Sequence, residues 1–120
     1  MDRNTVLLKK VYYAFNKRDI NAALASMHPN VCWSNGMGGG YVHGHDGLRD
    51  YWSKQWEMLD SDVEPVSILA EGKNKVVANV RHVVRDINEN IVEDEMLQHT
   101  YLIEDNLIKH MDVVKLPLAV

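Results

Sequence analysis

The chain has 120 residues, of which 46% are apolar and 25% charged, and these values predict one globular domain over residues 1–120 rather than a disordered segment. The formal net charge is −4 without a basic block, which argues against a nucleic-acid partner, and no apolar run approaches the roughly 18 residues of a membrane helix. Cys32 is the only cysteine. An internal disulfide is therefore excluded, and we expect a protein of the reducing cytoplasm.

The first part of the chain has helical patterns. Apolar residues recur at helical spacing over residues 4–17, and Asp19 is a suitable N-cap for a second, short helix that Pro29 would end. A short strand is expected at Val31–Ser34. The glycine-rich segment Gly36–Gly40 follows it and predicts a mobile loop at a pocket mouth, because the Gly-Lys-Ser/Thr of a phosphate loop is absent.

Strands dominate the second part. A short strand at Tyr41 and Val42 and a third helix, capped by His45 or Asp46, come first. From residue 62 the apolar period changes to two, which predicts antiparallel strands. The strands expected are Val66–Ala70, Val76–Asp86, Ile91–Ile103 and Leu107–Val114. Helices first and long strands later predict an α+β fold, with the helices on one face of a curved sheet.

The alternation of the two central strands predicts which side chains face the helices. A two-residue turn at Glu89 and Asn90 would pair Val80 with His99 and His82 with Leu97. The more apolar face should meet the helices. Its members are Val76, Ala78, Val80, His82, Val84, Leu97, His99, Tyr101 and Ile103. The other face mixes apolar and uncharged polar residues, which is typical of a subunit interface, so we expect a homodimer through this outer face.

Several local motifs accompany this order of elements. They are Ala14–Asp19, Met27–Val31, Trp33–Met37, Val42–Trp52, His99–Asp105 and Leu107–Lys109. Together they resemble the NTF2-like superfamily, and within it the SnoaL-like and ketosteroid isomerase-like proteins. The resemblance implies a cone-shaped α+β barrel whose N-terminal helices pack on a curved, mostly antiparallel sheet and enclose a pocket. It also implies homodimers that meet through the outer sheet face, and functions that range from isomerases to non-catalytic binders.

The catalytic set of ketosteroid isomerase is not matched. That enzyme uses an Asp general base, with a Tyr and a protonated Asp as oxyanion donors. Here the resemblance puts the base position on Asn35, whose amide cannot abstract a proton at neutral pH. The Tyr position falls near Val11, with Tyr12 beside it but expected to point elsewhere on the helix, and the Asp position falls on His99. We therefore expect the scaffold without steroid isomerisation.

His99 and His82 are the expected catalytic residues. Both fall on the predicted inner face, and Glu95 lies diagonally from His82. A histidine near a carboxylate in a partly apolar pocket is suited to general acid/base chemistry near neutral pH. The alternative is that both are core histidines hydrogen-bonded to Tyr or Trp side chains.

Aromatic and apolar side chains should form the walls of the pocket. Tyr51 and Trp52 stand where the isomerase-like family lines its pocket, and Asn35 is suited to hydrogen-bond a ligand carbonyl or hydroxyl. The expected substrate-binding residues are Trp33, Asn35, Tyr51, Trp52, Trp56, Val80, Leu97, Tyr101 and Met111. The alternative for the Trp stripe on the third helix is ordinary core packing.

We expect neither a metal nor a cofactor. His43 and His45 flank Gly44 and suggest a metal by residue type, but a turn followed by a helix cap explains this segment better. The acidic run from Glu93 to Glu95 is expected to be a solvated strand end.

Two hypotheses for function follow. The first is an enzyme that acts on a small, largely apolar molecule bearing a carbonyl or hydroxyl, by general acid/base isomerisation, aldol-type cyclisation or dehydration. The second is a non-catalytic module of the same fold that binds a small ligand or mediates dimerisation. The expected partners are a small-molecule ligand and a second copy of the chain.

Overall fold

The computed structural model describes residues 3–36 and 38–116. Met37 in the predicted loop, and residues 1–2 and 117–120 of the predicted domain, lie outside the described residues. The helices are α1 (Arg3–Asn16), α2 (Ile20–Leu24) and α3 (Gly44–Met58). The strands are β1 (Met27–Ser34), β2 (Tyr41–His43), β3 (Asp60–Ala70), β4 (Lys75–Arg85), β5 (Ile91–Glu104) and β6 (Leu107–Lys115). No helix of the described ranges has the length and apolarity that crossing a membrane requires.

The strands form a single sheet in the order β2-β1-β6-β5-β4-β3. Neighbouring strands are antiparallel except for the parallel pair of β1 and β6. The sheet is curved but does not close, since β2 and β3 are its two edges. Helices α1 and α3 pack against it, and the apolar core lies between these layers. The predicted α+β class, with helices on one face of a mostly antiparallel sheet, is confirmed.

Local sequence explains how the helices begin and end. In α1 the buried residues Leu8, Val11, Tyr12 and Phe15 follow helical spacing. Asp19 caps α2 as predicted, because its side chain accepts a hydrogen bond from the Ala22 N–H at 3.1 Å.

Two predictions about helix ends are wrong. Helix α2 ends at Leu24, and Pro29 lies inside β1 at a point where the register with β6 shifts, a position that tolerates a missing N–H. The N-cap of α3 is His43, not His45 or Asp46, and Gly44 has φ +70, a left-handed conformation that favours glycine. His45 lies inside the helix, where its Nε2 is 2.9 Å from the Met27 carbonyl oxygen and donates to it.

The pairing of β4 and β5 differs from the predicted register by two residues. Val80 lies opposite Leu97, and His82 lies opposite Glu95. The turn is longer than two residues because the Asp86 side chain accepts hydrogen bonds from the N–H groups of Asn88 and Asn90. Since side chains alternate with period two, an even shift leaves every residue on its predicted face. The predicted inner residues are indeed buried, apart from the half-buried His82.

Strand β3 begins at Asp60, six positions before its predicted start. Its first part, Asp60–Pro65, is mostly polar and has Val63 as its one large apolar side chain, yet it pairs with Val80–Arg85 of β4. The strand is an edge, so its outward backbone groups lack a strand partner. Asn16 replaces that partner at Val63: its Nδ2 donates to the Val63 carbonyl at 2.8 Å, and its Oδ1 accepts from the Val63 N–H at 2.9 Å.

Asn16→Ala should therefore loosen the junction between α1 and β3. Both backbone groups of Val63 lose their partner, and we expect the free energy of unfolding in urea to fall by about 1–3 kcal/mol. The matched control is Asn4→Ala, because Asn4 makes one exposed hydrogen bond to the Lys73 carbonyl and should change stability by less than about 0.5 kcal/mol. Equal losses in the two variants would contradict this role of Asn16.

Candidate functional site

A cavity of about 590 Å³ opens between α1, α3 and the inner face of the sheet. Apolar and aromatic side chains form most of its wall, and two groups of polar side chains contain its histidines. One polar group lies deep against α1 and centres on His99. The other lies on the ends of β3, β4 and β5 and centres on His82.

Three buried polar side chains meet at the deep end. The Tyr12 hydroxyl of α1 lies 3.0 Å from Nδ1 of His99 on β5. The Tyr101 hydroxyl donates to the Tyr12 hydroxyl at 2.8 Å and lies 3.2 Å from the same Nδ1. His99 is only 6% exposed and Tyr101 is fully buried. These three side chains, named the deep triad here, join the first helix to the central strand.

Proton counting assigns the tautomer of His99. If Nδ1 accepts, Tyr101 donates to Tyr12 and Tyr12 donates to Nδ1, so both hydroxyl protons are used. If Nδ1 instead carries the proton, one buried hydroxyl proton has no acceptor within the triad, which is costly. The proton of the neutral ring therefore sits on Nε2. His99 lines the cavity, and Nε2 has no hydrogen-bond partner among the described residues.

Burial keeps this arrangement uncharged. The pKa of His99 is lowered from 6.5 to about 4, mainly because burial penalises the imidazolium and secondarily because His82 repels it. Burial likewise raises the pKa of the Tyr12 and Tyr101 hydroxyls, so both remain protonated donors. At neutral pH the deep triad therefore offers one N–H donor to the cavity and cannot act as a strong base.

The second polar group joins three strands. Ser61 of β3 is fully buried, and its Oγ lies 2.6 Å from Nε2 of His82 on β4. The other ring nitrogen, Nδ1, lies 3.8 Å from Oε1 of Glu95 on β5. A second oxygen of Glu95 lies 3.2 Å from the Lys115 ammonium. Because His82 and Glu95 are directly paired rather than diagonal, the carboxylate lies beside the ring.

The structure brings most of the expected site residues to one cavity. The predicted residues that line it are His82, His99, Trp33, Tyr51, Trp52, Leu97 and Met111. Trp33 and Trp52 pack edge to face with their ring centres 5.4 Å apart. Tyr51 also holds the glycine loop, since its hydroxyl accepts a hydrogen bond from the Gly36 N–H at 3.1 Å.

Four expected substrate-binding residues lie outside the lining. Asn35 folds the glycine loop, because its Oδ1 accepts from the Gly38 N–H at 2.8 Å. Trp56 stacks on Trp52 behind the wall, which matches the core-packing alternative. Val80 is fully buried in the core, and Tyr101 supports His99 from behind.

Several lining residues were not among the expected site residues, and Tyr12, Ser61 and Glu93 are the ones that matter most for the chemistry. Tyr12 does not point away from the site as expected, and its spacing of four from Leu8 and three from Phe15 in the sequence would have placed it on the inner helix face. Ser61 gave no signal because the start of β3 was not recognised. Glu93 shares a face with Glu95 two residues later, which the strand period would have shown.

Two clusters within the described ranges bring a histidine and two carboxylates together. They are His28 with Glu104 and Asp105, and His82 with Glu93 and Glu95. The segment from His43 to His45 belongs to neither cluster, since His43 precedes the helix and His45 bonds to the Met27 carbonyl.

The family model of the SnoaL-like domain matches residues 8–108, so this chain belongs to the SnoaL-like family. No curated protein matches the chain significantly by sequence.

Solved structures share the fold over nearly the whole chain. An NTF2-like protein of unknown function from Burkholderia pseudomallei has 21% identity and a TM-score of 0.85, with coverage of 96% of this chain and 92% of that one. TerC, crystallised with polyporic acid, has 24% identity and a TM-score of 0.84, with coverage of 95% and 92%. A Mycobacterium tuberculosis protein in complex with estradiol-17β-hemisuccinate has 11% identity and a TM-score of 0.82, with coverage of 92% of both chains. At these identities the likeness shows the NTF2-like fold, as the sequence motifs predicted.

The lowered pKa of His99 makes stability depend on pH. The unfolded chain takes up a proton on His99 near pH 6.5, whereas the folded chain does so only near pH 4. Stability is therefore lost as the pH falls through this window, by about 3 kcal/mol from this residue. Urea unfolding of the protein and of His99→Gln at pH 7 and pH 4.5 checks this. Between pH 7 and pH 4.5 the free energy of unfolding should fall less in the variant than in the unmodified protein. An equal fall in both proteins would contradict the effect of burial on the pKa of His99.

Proposed function

We propose that this protein binds a small, mostly apolar organic molecule and orients it through a carbonyl or hydroxyl oxygen. The observation that carries the proposal is the Nε2–H of His99, which the deep triad holds as a neutral donor at the cavity. A neutral donor of this kind pairs with an uncharged oxygen, and in a buried site water competes little for the hydrogen bond. The aromatic wall of Trp33 and Trp52 supplies the apolar surface for the rest of the molecule.

The size of the cavity and the ligands of similar folds support this ligand class. Cavities of roughly 300–1,000 Å³ are typical of sites for drug-sized molecules, and this one has about 590 Å³. Proteins of the same fold were crystallised with polyporic acid and with estradiol-17β-hemisuccinate. We therefore take ring-containing, oxygen-bearing molecules as the first probes.

Acid/base catalysis is the second candidate, and the pairing of His82 with Glu95 favours it. His82 lies beside Glu95 and lines the cavity, so we assign His82 the exchange of a proton with a bound molecule. His99 would then stabilise the developing negative charge on the substrate oxygen rather than move a proton itself. Isomerisation, aldol-type cyclisation and dehydration all fit this division of roles and need no organic cofactor. The alternative is a module that binds a ligand without turnover.

We further propose a homodimer through the outer sheet face, and a cytoplasmic location in which Cys32 stays a free thiol. The outer face carries half-buried Val77, Val83 and Met96 beside the hydrogen-bonded amides of Asn79 and Gln98. This mixture of apolar and uncharged polar groups is the composition expected at an interface.

His99→Leu should remove the preference of the cavity for an oxygen-bearing ligand. We compare 1-tetralone with tetralin, which lacks the carbonyl, and follow binding by NMR of the Trp indole signals. In the unmodified protein the hydrogen bond to Nε2 should make 1-tetralone bind more tightly than tetralin. In His99→Leu the ratio of the two dissociation constants should shrink by about 2–10-fold, because this hydrogen bond is lost.

The matched control is Met111→Leu, which changes the apolar wall without touching the donor. It should affect both ligands alike and leave the ratio unchanged. If His99→Leu leaves the ratio unchanged as well, His99 does not orient the ligand.

The dimer is tested by placing a charge on the outer face. Leu102 is exposed on this face, and Leu102→Glu should shift sedimentation at micromolar concentration from dimer to monomer, because a buried unpaired charge opposes association. Tyr13→Glu adds the same charge on the exposed side of α1 and should leave the dimer intact. A monomer in the unmodified protein would refute the interface.

A further inference from the structure

We propose that His82, Glu93 and Glu95 form a binding site for a divalent transition-metal ion such as Zn²⁺ or Mn²⁺. His82 lies opposite Glu95, and Val84, two residues on, lies opposite Glu93. The three side chains therefore project from adjacent strands onto the same inner face. Their possible ligand atoms all lie within 4.8 Å of one another. The backbone pairing of β4 and β5 fixes these positions without a ligand.

One ring nitrogen of His82 has no partner that satisfies it. Nδ1 is buried and makes no hydrogen bond with any described residue. Its nearest carboxylate oxygen, Oε1 of Glu95, is 3.8 Å away, which is too long for a hydrogen bond. Two ligands of one tetrahedral Zn²⁺ ion, each bound at about 2.0–2.2 Å, stand about 3.3–3.6 Å apart, which is close to this distance. The gap therefore suits a cation shared by Nδ1 and the carboxylate.

Ser61 supplies the supporting contact that a metal-binding histidine requires. Its Oγ lies 2.6 Å from Nε2 of His82 and is itself fully buried. When Nε2 carries the proton and donates to Ser61, the lone pair of Nδ1 faces the two glutamates. A fixed hydrogen bond on the second nitrogen orients metal-bound imidazoles in the same way.

The local charge also favours a dication. Neutral His82 with two ionised glutamates carries two negative charges, and the Lys115 ammonium, 3.2 Å from Glu95, offsets one of them. The Lys115 side chain is 74% exposed, so it can move into solvent when a cation takes its place. One imidazole and two carboxylates suit Zn²⁺, Mn²⁺ and Fe²⁺ better than the softer Cu⁺.

Three protein ligands leave further coordination positions open toward the cavity that all three residues line. An ion held there would face the same space as Nε2 of His99, where it can take a water molecule or an oxygen of a bound molecule. The metal would also occupy the lone pair of Nδ1, so a metal-bound His82 could not accept a proton at that nitrogen. The metal site does not depend on the proposed function, because metal binding is measured without any organic ligand.

The test is isothermal titration calorimetry of the untagged 120-residue chain with ZnCl₂ and MnCl₂ after removal of metal by EDTA. We expect one ion per chain. We also expect at least about a tenfold loss of affinity in Glu93→Gln and in His82→Gln, the scale of losing one ligand interaction. In the metal-free protein, the ¹⁵N signals of the His82 ring should shift on Zn²⁺ addition at Nδ1.

The chain offers a matched control in its other cluster of a histidine and two carboxylates. His28→Gln removes the histidine beside Glu104 and Asp105 and should leave the affinity unchanged, as should Cys32→Ser. The proposal is overturned if neither ion binds at millimolar concentration, if Glu93→Gln and His82→Gln bind as the unmodified protein does, or if His28→Gln abolishes binding. Binding of 1-tetralone in the presence of EDTA tests the proposed ligand site separately from the metal site, because the hydrogen bond from His99 needs no metal.

Discussion

The contact between Tyr12 and His99 is the interaction on which the site depends. It crosses from the first helix to the central strand and, with Tyr101, uses both hydroxyl protons and leaves the Nε2–H of His99 for the cavity. Burial then does two things at once. It lowers the pKa of His99 and keeps the tyrosines protonated, so a ring that titrates near neutral pH in water becomes a fixed neutral donor.

The two histidines have different roles because of their positions along the sheet. His99 lies deep under α1, where two tyrosine hydroxyls lie beside Nδ1 and no carboxylate of residues 3–36 and 38–116 pairs with the ring. His82 lies farther toward the hairpin end, beside Glu95 and backed by Ser61. The same residue type is therefore a donor at one end of the cavity and a proton or metal acceptor at the other. Other lining residues of the cavity, such as Trp33 and Leu97, are apolar.

The correctness of the face prediction and the error in register have one cause. Alternation specifies which side a strand residue takes, and a shift of two residues preserves it, so His82 and His99 were placed correctly inside. The register depends on the turn, and the Asp86 side chain stabilises a longer turn than two residues. The direct pairing of His82 with Glu95 was therefore not predictable from alternation. The start of β3 was missed for a related reason, since pairing with β4 and with Asn16 holds a polar segment that has no strand signal of its own.

The sequence by itself determined the α+β class, the family resemblance, the inner face of β4 and β5 and most of the aromatic wall. These features follow from local periodicity and from motifs that are short in sequence. Only the tertiary structure decided that Tyr12 meets His99 and that Glu93 joins His82. Such contacts join residues far apart in the chain, and their distances depend on turn length and helix placement. Because burial of those contacts sets the charge of His99, its chemistry also became visible only in the folded chain.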